Sequence, residues 1–159
     1  MIEERDGLLP VRPEGIPEEL KTRPQWVAWR LEKRDGDFTK VPYTPFTGRK
    51  ASSRDLLTWR PFEEALAAFR KGDCHGIGFM FSSGDPYCGV DLDGCRNAET
   101  GKVDEWAQGI VKDLDGYAEV SPSGRGVHVI VRGKTPSRRR GAIEIYSSER
   151  FFTMTGQAL

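Results

Sequence analysis

The sequence predicts an α+β fold in which short strands outnumber the helices. Several short apolar segments are bounded by glycine, proline and aspartate, as strands joined by turns are. Two other segments have apolar residues at the spacing of an amphipathic helix. With 159 residues, of which 37% are hydrophobic and 30% charged, the chain has the size and composition of one globular domain.

The first half of the chain predicts an arm, a hairpin and a helix. Four prolines interrupt residues 1–24, so we expect an extended arm with one short helical turn. Residues 25–31 predict a strand with two tryptophans, residues 34–37 a turn, and residues 38–41 the returning strand. A helix is predicted to begin at Pro61, because proline is favoured in the first turn and glutamates follow it.

The second half predicts another hairpin, another helix and more strands. Residues 76–81 and 88–93 read as two apolar strands joined by a turn. A helix opens at Asp104 and Glu105, with an apolar face that includes Trp106. Two further strands are predicted, at residues 127–132 and 142–146, and residues 117–120 lead into the loop before the first of them.

The second hairpin carries two carboxylates, Asp91 and Asp93, at its end. In a strand these side chains point to the same face, roughly 6 to 7 Å apart along it. Because like charges repel, we expect a cation between them, and a divalent metal ion is the obvious candidate. A solvated turn is the alternative interpretation of the same residues.

Two familiar motifs are excluded. An EF-hand loop that started at Asp91 would need an oxygen ligand, a glycine and a glutamate where Cys95, Arg96 and Lys102 stand. The tripeptide Gly-Lys-Thr at residues 133–135 suggests a P-loop, but His128 occupies the position of the required first glycine.

Charge is segregated along a chain whose net charge is zero. Residues 81–120 contain nine acidic and three basic residues, whereas residues 120–150 contain seven basic and two acidic residues. Such a field suits a metal at one wall of a site and phosphate groups at the other. For the run Arg138 to Arg140, a solvated surface is an equal alternative.

Three further positions are candidates for a site. The segment from Ser121 to Gly126 is rich in serine and glycine, which suits close approach to a phosphate but also an ordinary loop. His128 alternates with valines that we expect to face the core, so its side chain is expected on the opposite face. Glu144 lies between two isoleucines, so it faces away from the core or toward a metal.

Cysteine content and hydropathy indicate a protein of the cytoplasm. The cysteines, Cys74, Cys88 and Cys95, form no Cys-x-x-Cys pair, and we expect buried thiols in a reducing compartment. Apolar runs stay well short of the ~20 residues that span a bilayer, and the acidic first residues are not typical of a signal peptide.

Taken together, three motifs resemble the archaeo-eukaryotic primase superfamily. These are Val-Asp-Leu-Asp at residues 90–93, Gly-Val-His at residues 126–128 and Ile-Glu-Ile-Tyr at residues 143–146. The surrounding sequence is most similar to the primase-polymerase domains of phage and plasmid replication proteins. That similarity is carried by the segments at residues 26–29, 40–43, 76–79, 121–124 and 150–153, and it extends from about Trp26 to Gly156.

The resemblance implies an archaeo-eukaryotic primase fold, with an RRM-like antiparallel sheet, flanking helices and a small N-terminal αβ unit. It divides the chain into an arm at residues 1–24 and one catalytic domain at residues 25–159. Within that domain, residues 25–75 would form the αβ unit and residues 76–156 the core.

The resemblance also implies a template-dependent DNA primase and polymerase that uses dNTP or NTP. Asp91, Asp93 and Glu144 would bind Mg²⁺ or Mn²⁺, and His128 would contact the triphosphate. Five further residues would help to hold phosphate groups: Arg150, Ser121, Ser123, Arg125 and Lys40.

The implied partners are a single-stranded DNA template and primer, with a helicase or a helical accessory domain supplied elsewhere. A host cell's cytoplasm and a phage or mobile-element origin would follow. Two alternatives stay open, a metal-dependent nuclease and a non-catalytic module that binds single-stranded nucleic acid.

Overall fold

The computed structural model of the protein describes residues 7–159, so the first six residues of the predicted arm lie outside the described residues. The rest of the arm contains a 3₁₀ turn at Pro13–Gly15 and the predicted helical turn, here α1 at Glu18–Lys21. Two longer helices follow, α2 at Phe62–Arg70 and α3 at Glu105–Leu114, and both were predicted.

Within residues 7–159, a second 3₁₀ turn at Leu56–Thr58 and nine strands form the rest of the regular structure. The strands are β1 (Trp26–Arg34), β2 (Asp37–Tyr43), β3 (Gly76–Phe81), β4 (Tyr87–Leu92), β5 (Tyr117–Val120), β6 (Val127–Arg132), β7 (Arg138–Arg140), β8 (Ile143–Tyr146) and β9 (Arg150–Met154). The short strands β7 and β9 were not predicted. A run of three arginines has no alternation of apolar and polar residues, and β9 begins directly after a bend in the chain.

The strands form two antiparallel sheets, which confirms the predicted α+β class. The first sheet has the order β2-β1-β3-β9, and the second has the order β5-β6-β4-β8-β7. The first sheet combines strands from both sides of residue 75. The division into a unit at residues 25–75 and a core at residues 76–156 therefore stays a prediction.

The predicted hairpin between residues 76 and 93 is wrong, because β3 and β4 belong to different sheets. The buried carboxylate of Asp85 redirects the chain between them. It accepts hydrogen bonds from the backbone N–H of Ser82 at 2.7 Å and of Tyr87 at 2.8 Å, and from the side chain of Gln25 at 2.9 Å. Lys134 adds an ion pair at 3.0 Å.

The two sheets pack face to face around a core rich in aromatic residues. Four aromatic residues, Trp26, Phe79, Phe81 and Phe152, are almost fully buried. Their rings form a series of contacts, in which Trp26 meets Phe79, Phe79 meets Phe81, and Phe81 meets Phe152. A Cβ atom at Gly89 would lie 2.7 Å from the ring of Phe81, so the second sheet approaches the first through a position that has no side chain.

The other face of the second sheet is covered by α3, so both of its faces are buried at the centre. The expectation that Trp106 packs on this face is wrong, since 42% of its surface is exposed. Ala107 is fully buried instead. It lies four residues from both Val103 and Val111, and all three belong to one apolar cluster against the sheet.

The three cysteines are buried and free, as predicted. Burial raises the pKa of the Cys74 thiol to about 11, so the thiol stays protonated at neutral pH. Among residues 7–159, the helices are too short to cross a bilayer.

Candidate active site

Five polar or charged side chains lie in one line across the second sheet. Pairing places Glu119 of β5 opposite His128 of β6, His128 opposite Asp91 of β4, Asp91 opposite Glu144 of β8, and Glu144 opposite Arg139 of β7. Directly opposed residues of an antiparallel pair have their side chains on the same face. These five residues, hereafter the cross-sheet row, therefore share one face of the sheet.

The cross-sheet row is on the face that meets the first sheet. The ring of His128 stacks on that of Phe152 in β9, with centroids 4.2 Å apart and planes 27° apart. Its Nδ1 atom lies 2.9 Å from the carbonyl oxygen of Thr153 in the same strand. Because a carbonyl oxygen accepts only, Nδ1 carries the hydrogen in this bond, and Nε2 points to Asp91 at 3.4 Å.

The centre of the row is a pair of half-buried carboxylates. Asp91 has His128 as its neighbour on one side, and Glu144 accepts a hydrogen bond from the hydroxyl of Tyr146 at 3.1 Å. A guanidinium nitrogen of Arg150 lies 3.9 Å from the other oxygen of Glu144. Burial, followed by the charges of Asp91 and Glu144, raises the pKa of Tyr146 above its usual range.

Asp93 and Lys40 lie at the edge of this pair. Asp93 follows the end of β4, is exposed, and donates its backbone N–H to the carbonyl of Ala142 at 2.8 Å. Burial lowers the pKa of Lys40 on β2, while the negative charges of Asp91 and Asp93 act in the opposite direction. The Lys40 ammonium is 5.8 Å from the ring centre of Trp29. The first sheet therefore supplies a cation to the acids.

The donor set at this place is made of carboxylate oxygens, which suits Mg²⁺ and Mn²⁺ better than softer metals. Asp91 and Glu144 share one face, and Asp93 is two residues after Asp91, just beyond the end of β4. Within residues 7–159, no three His, Cys, Asp or Glu side chains already form a group that could hold a metal ion. These carboxylates are of the type that binds a divalent ion, and Asp93 lies outside the opposed pair of Asp91 and Glu144.

Glu119, at the end of the row, is a site residue that sequence reasoning missed. Its side chain is fully buried and accepts hydrogen bonds from the hydroxyl of Tyr117, from the backbone N–H and hydroxyl of Thr155, and from the backbone N–H of Gly156. It thereby fixes the end of β9 that contacts His128. The alternation Ala118, Glu119, Val120 was the available signal.

The loop between β5 and β6 folds on its own polar groups. The Ser121 hydroxyl oxygen accepts a hydrogen bond from the backbone N–H of Gly126 at 3.0 Å and lies 3.2 Å from the hydroxyl of Ser123. A side chain at position 126 would press on the carbonyl of Leu92, with a Cβ contact of 3.0 Å. Arg125 is exposed. The loop therefore lies at the same end of the sheet as Asp93.

Arg150 lies on the opposite side of the acids, at the start of β9. Its guanidinium is 5.4 Å from the ring centre of Tyr146. Both residues line an open cleft of about 460 Å³, whose other wall includes Pro42, Ser52 and Ser53. A polar cleft therefore opens beside Glu144. The structure brings four of the predicted site residues together. His128 lies beside Asp91, Asp91 is opposite Glu144, and Glu144 lies beside Arg150. Lys40 and Asp93 flank this group.

Comparison with known proteins supports one family. The chain is 40% identical over 141 residues to the DNA primase-polymerase of Nitratiruptor phage NrS-1. This match confirms the predicted resemblance to phage primase-polymerases. The match covers 84% of this chain, which spans only 19% of the length of the phage protein. No family model matches the chain.

Proposed function

We propose that this chain is the catalytic domain of a template-dependent DNA primase-polymerase. It would transfer a nucleotide from dNTP or NTP to the 3′-hydroxyl of a primer on single-stranded DNA. The observation that carries the proposal is the opposition of Asp91 and Glu144 beside a fixed histidine, in a homologue of a phage primase-polymerase.

The three acids would hold Mg²⁺ or Mn²⁺. Asp91 and Glu144 would supply one oxygen face, and Asp93 would join them from the end of β4. Ions bound there would neutralise the charge of the phosphate oxygens and favour ionisation of the primer hydroxyl. The acids themselves gain from such an ion, because two opposed carboxylates repel each other in a half-buried place.

The remaining residues would bind and orient the nucleotide. His128 is suited to contact the triphosphate because two contacts from β9 fix its ring. Arg150 and Lys40 approach the acids from the first sheet, where their positive charges would stabilise phosphate. Ser121 and Ser123 would act mainly by shaping their loop, since their hydroxyls bond within it, and exposed Arg125 would reach toward nucleic acid.

The finer assignments of fold and setting are part of the proposal. The order β5-β6-β4-β8 with α3 on one face is consistent with an RRM-like sheet, as the archaeo-eukaryotic primase fold requires. Template and primer would cross the site through contacts of basic side chains with their phosphates. A helicase or helical accessory domain would act with it, in the cytoplasm of the host of a phage or mobile element.

The test is DNA synthesis on a single-stranded template with labelled dNTP or NTP, with Mg²⁺ or Mn²⁺, and with or without a primer. The variant Asp91→Asn/Asp93→Asn removes both charges with little change of shape. Its matched control is Asp113→Asn/Asp115→Asn, since these two exposed acids have the same spacing near the end of α3. We expect the wild type and the control to extend the primer and the site variant to lose extension.

The alternatives give different results in the same experiment. Degradation of the strand without nucleotide, lost in the site variant, would identify a metal-dependent nuclease. Equal binding of single strands by both variants, without any product from the wild type, would identify a binding module. Either result would overturn the proposed polymerase activity of this chain.

A further inference from the structure

The edge strand β7 consists of three arginines, and its register divides them between the two faces of the sheet. Arg139 is opposite Glu144, whereas Arg138 is opposite Ile145 and Arg140 is opposite Ile143. Both isoleucines pack in the apolar cluster beneath α3. Arg139 therefore projects from the face of the acids, and its two neighbours project from the other face.

Within the described residues, the side chains of these three arginines form no ion pair or hydrogen bond with other residues, and all three are exposed. Glu144 does not pair with Arg139, although Cβ atoms of directly opposed residues are about 4.5–5.5 Å apart. Its carboxylate oxygens are directed to Tyr146 and Arg150 instead. The guanidinium of Arg139 is thus available beside the acids.

Charges on an edge strand also serve to prevent pairing with other chains. That role needs charge at the edge and does not distinguish one face from the other. It would be met equally by Arg138, Arg139 and Arg140. The position of one arginine at the end of the cross-sheet row calls for a role that depends on the face.

We propose that Arg139 binds a phosphate group lying over Asp91 and Glu144, and that Arg138 and Arg140 do not. A guanidinium presents two parallel N–H donors that match two phosphate oxygens. Phosphate held at the carboxylates through metal ions would place negative oxygens next to Arg139. This inference rests on the proposed nucleotidyl transfer, and the phosphate belongs either to the incoming triphosphate or to the DNA backbone.

Three variants that each remove one charge from the same strand provide the test: Arg139→Ala, Arg138→Ala and Arg140→Ala. The first readout is kcat/KM for primer extension. We expect Arg139→Ala to lower it on the order of tenfold or more, as loss of a charged hydrogen bond does, and the other two to stay within about twofold of the wild type. Arg139→Lys keeps the charge without the paired donors, and it should fall between Arg139→Ala and the wild type.

Two binding measurements identify the source of the phosphate. Equilibrium binding of dNTP with Mn²⁺ should weaken in Arg139→Ala alone if the triphosphate is bound. Binding of labelled primer-template DNA without nucleotide should weaken in Arg139→Ala alone if the DNA backbone is bound. Thermal unfolding of all variants controls for folding, and Arg139→Lys replaces Arg139→Ala if the latter unfolds.

Equal loss in all three alanine variants would overturn the proposal and leave a general effect of positive charge at the edge. Wild-type behaviour of Arg139→Ala in all three assays would also overturn it. If the wild type makes no product, the proposed polymerase activity fails, but the two binding measurements still decide whether Arg139 holds a phosphate.

Discussion

Asp91 on β4 and Glu144 on β8 are directly opposed residues of an antiparallel pair, and they place two carboxylates on one half-buried face. Replacing Glu144→Gln should lower the rate of primer extension by at least ~10²-fold, as loss of a group that stabilises the transition state does. In EDTA the same change should leave the free energy of unfolding equal or raise it by ~0.2–1 kcal/mol, because repulsion between like charges is relieved.

Extension assays and urea unfolding check both parts of this prediction. Glu99→Gln, an exposed acid in the turn between β4 and α3, is the control and should change neither quantity. A large loss of stability in Glu144→Gln would contradict the prediction. It would show that neighbouring groups stabilise the two carboxylates by more than their mutual repulsion destabilises the protein.

Phe152 should be important to both stability and the position of His128. Its ring is almost fully buried, stacks on that of His128, and lies 5.5 Å from that of Phe81. Phe152→Ala should lower the free energy of unfolding by ~3–5 kcal/mol, as truncation of buried aromatic residues does. Phe152→Leu should keep most of the stability while it raises the KM for nucleotide. An unchanged KM in a folded Phe152→Leu protein would separate His128 from nucleotide binding.

Gly89 should tolerate no side chain, because aromatic rings of the first sheet lie against its backbone. A Cβ at this position would lie 2.7 Å from the ring of Phe81 and 3.1 Å from that of Phe152. We expect Gly89→Ala to destabilise the protein by ~1–3 kcal/mol, as overpacking of a core does. Gly109→Ala on α3 is the opposite case, since a Cβ placed there would meet no atom within 4 Å outside the neighbouring helix backbone. That change should stabilise the helix by ~0.5–1 kcal/mol. Thermal unfolding of the two variants compares them directly.

The buried Glu119 should make stability depend on pH. Burial raises the pKa of Glu119, while His128 and the N–H groups of Thr155 and Gly156 act in the opposite direction. A carboxyl group with a higher pKa in the folded state binds its proton more tightly there. Its contribution to stability is therefore complete below about pH 4.3, the usual value for glutamate, and is lost as the pH rises through the folded pKa.

Urea unfolding of the wild type and of Glu119→Gln between about pH 5 and pH 9 measures this effect. The hydrogen bonds altered in the variant shift the free-energy difference by a constant, whereas ionisation gives it a slope. The wild type should lose stability relative to Glu119→Gln as pH rises. A difference independent of pH would show that the folded protein does not raise the pKa of this carboxyl.

Local pattern was sufficient for the positions of the helices and for the orientation of Glu144, but not for that of Trp106. The alternation around Glu144 predicted that its side chain leaves the apolar face, and the spacing after Pro61 predicted α2. The pairing of β1 with β2 across a short turn was predicted and is confirmed. The partners of the other strands were not readable, because their pairing joins residues far apart in the chain. The hairpin at residues 76–93 failed for this reason: the hydrogen bond that Gln25 donates to Asp85, sixty residues away, has no local signature.

The site was predicted only in part, because its geometry also depends on the pairing of strands that are far apart in the chain. Asp91, His128 and Glu144 could be chosen from three short motifs, but only the register shows that they are adjacent. Glu119 has the same setting in its strand as Glu144. Its partners Thr155 and Gly156, however, lie more than thirty residues later. The sequence therefore identified chemically important residues on single strands, but it did not identify the contacts between those strands.

The cross-sheet row takes one residue from each of five strands, so it exists only when four separate pairings are in register at once. A slip of one residue in any pairing would turn its member to the opposite face. Folding must therefore close long loops before the acids and histidine meet, and fraying of the edge strands β5 and β7 would remove Glu119 and Arg139 from the row. Catalytic competence should consequently appear late in refolding and vanish early in unfolding, ahead of the aromatic core.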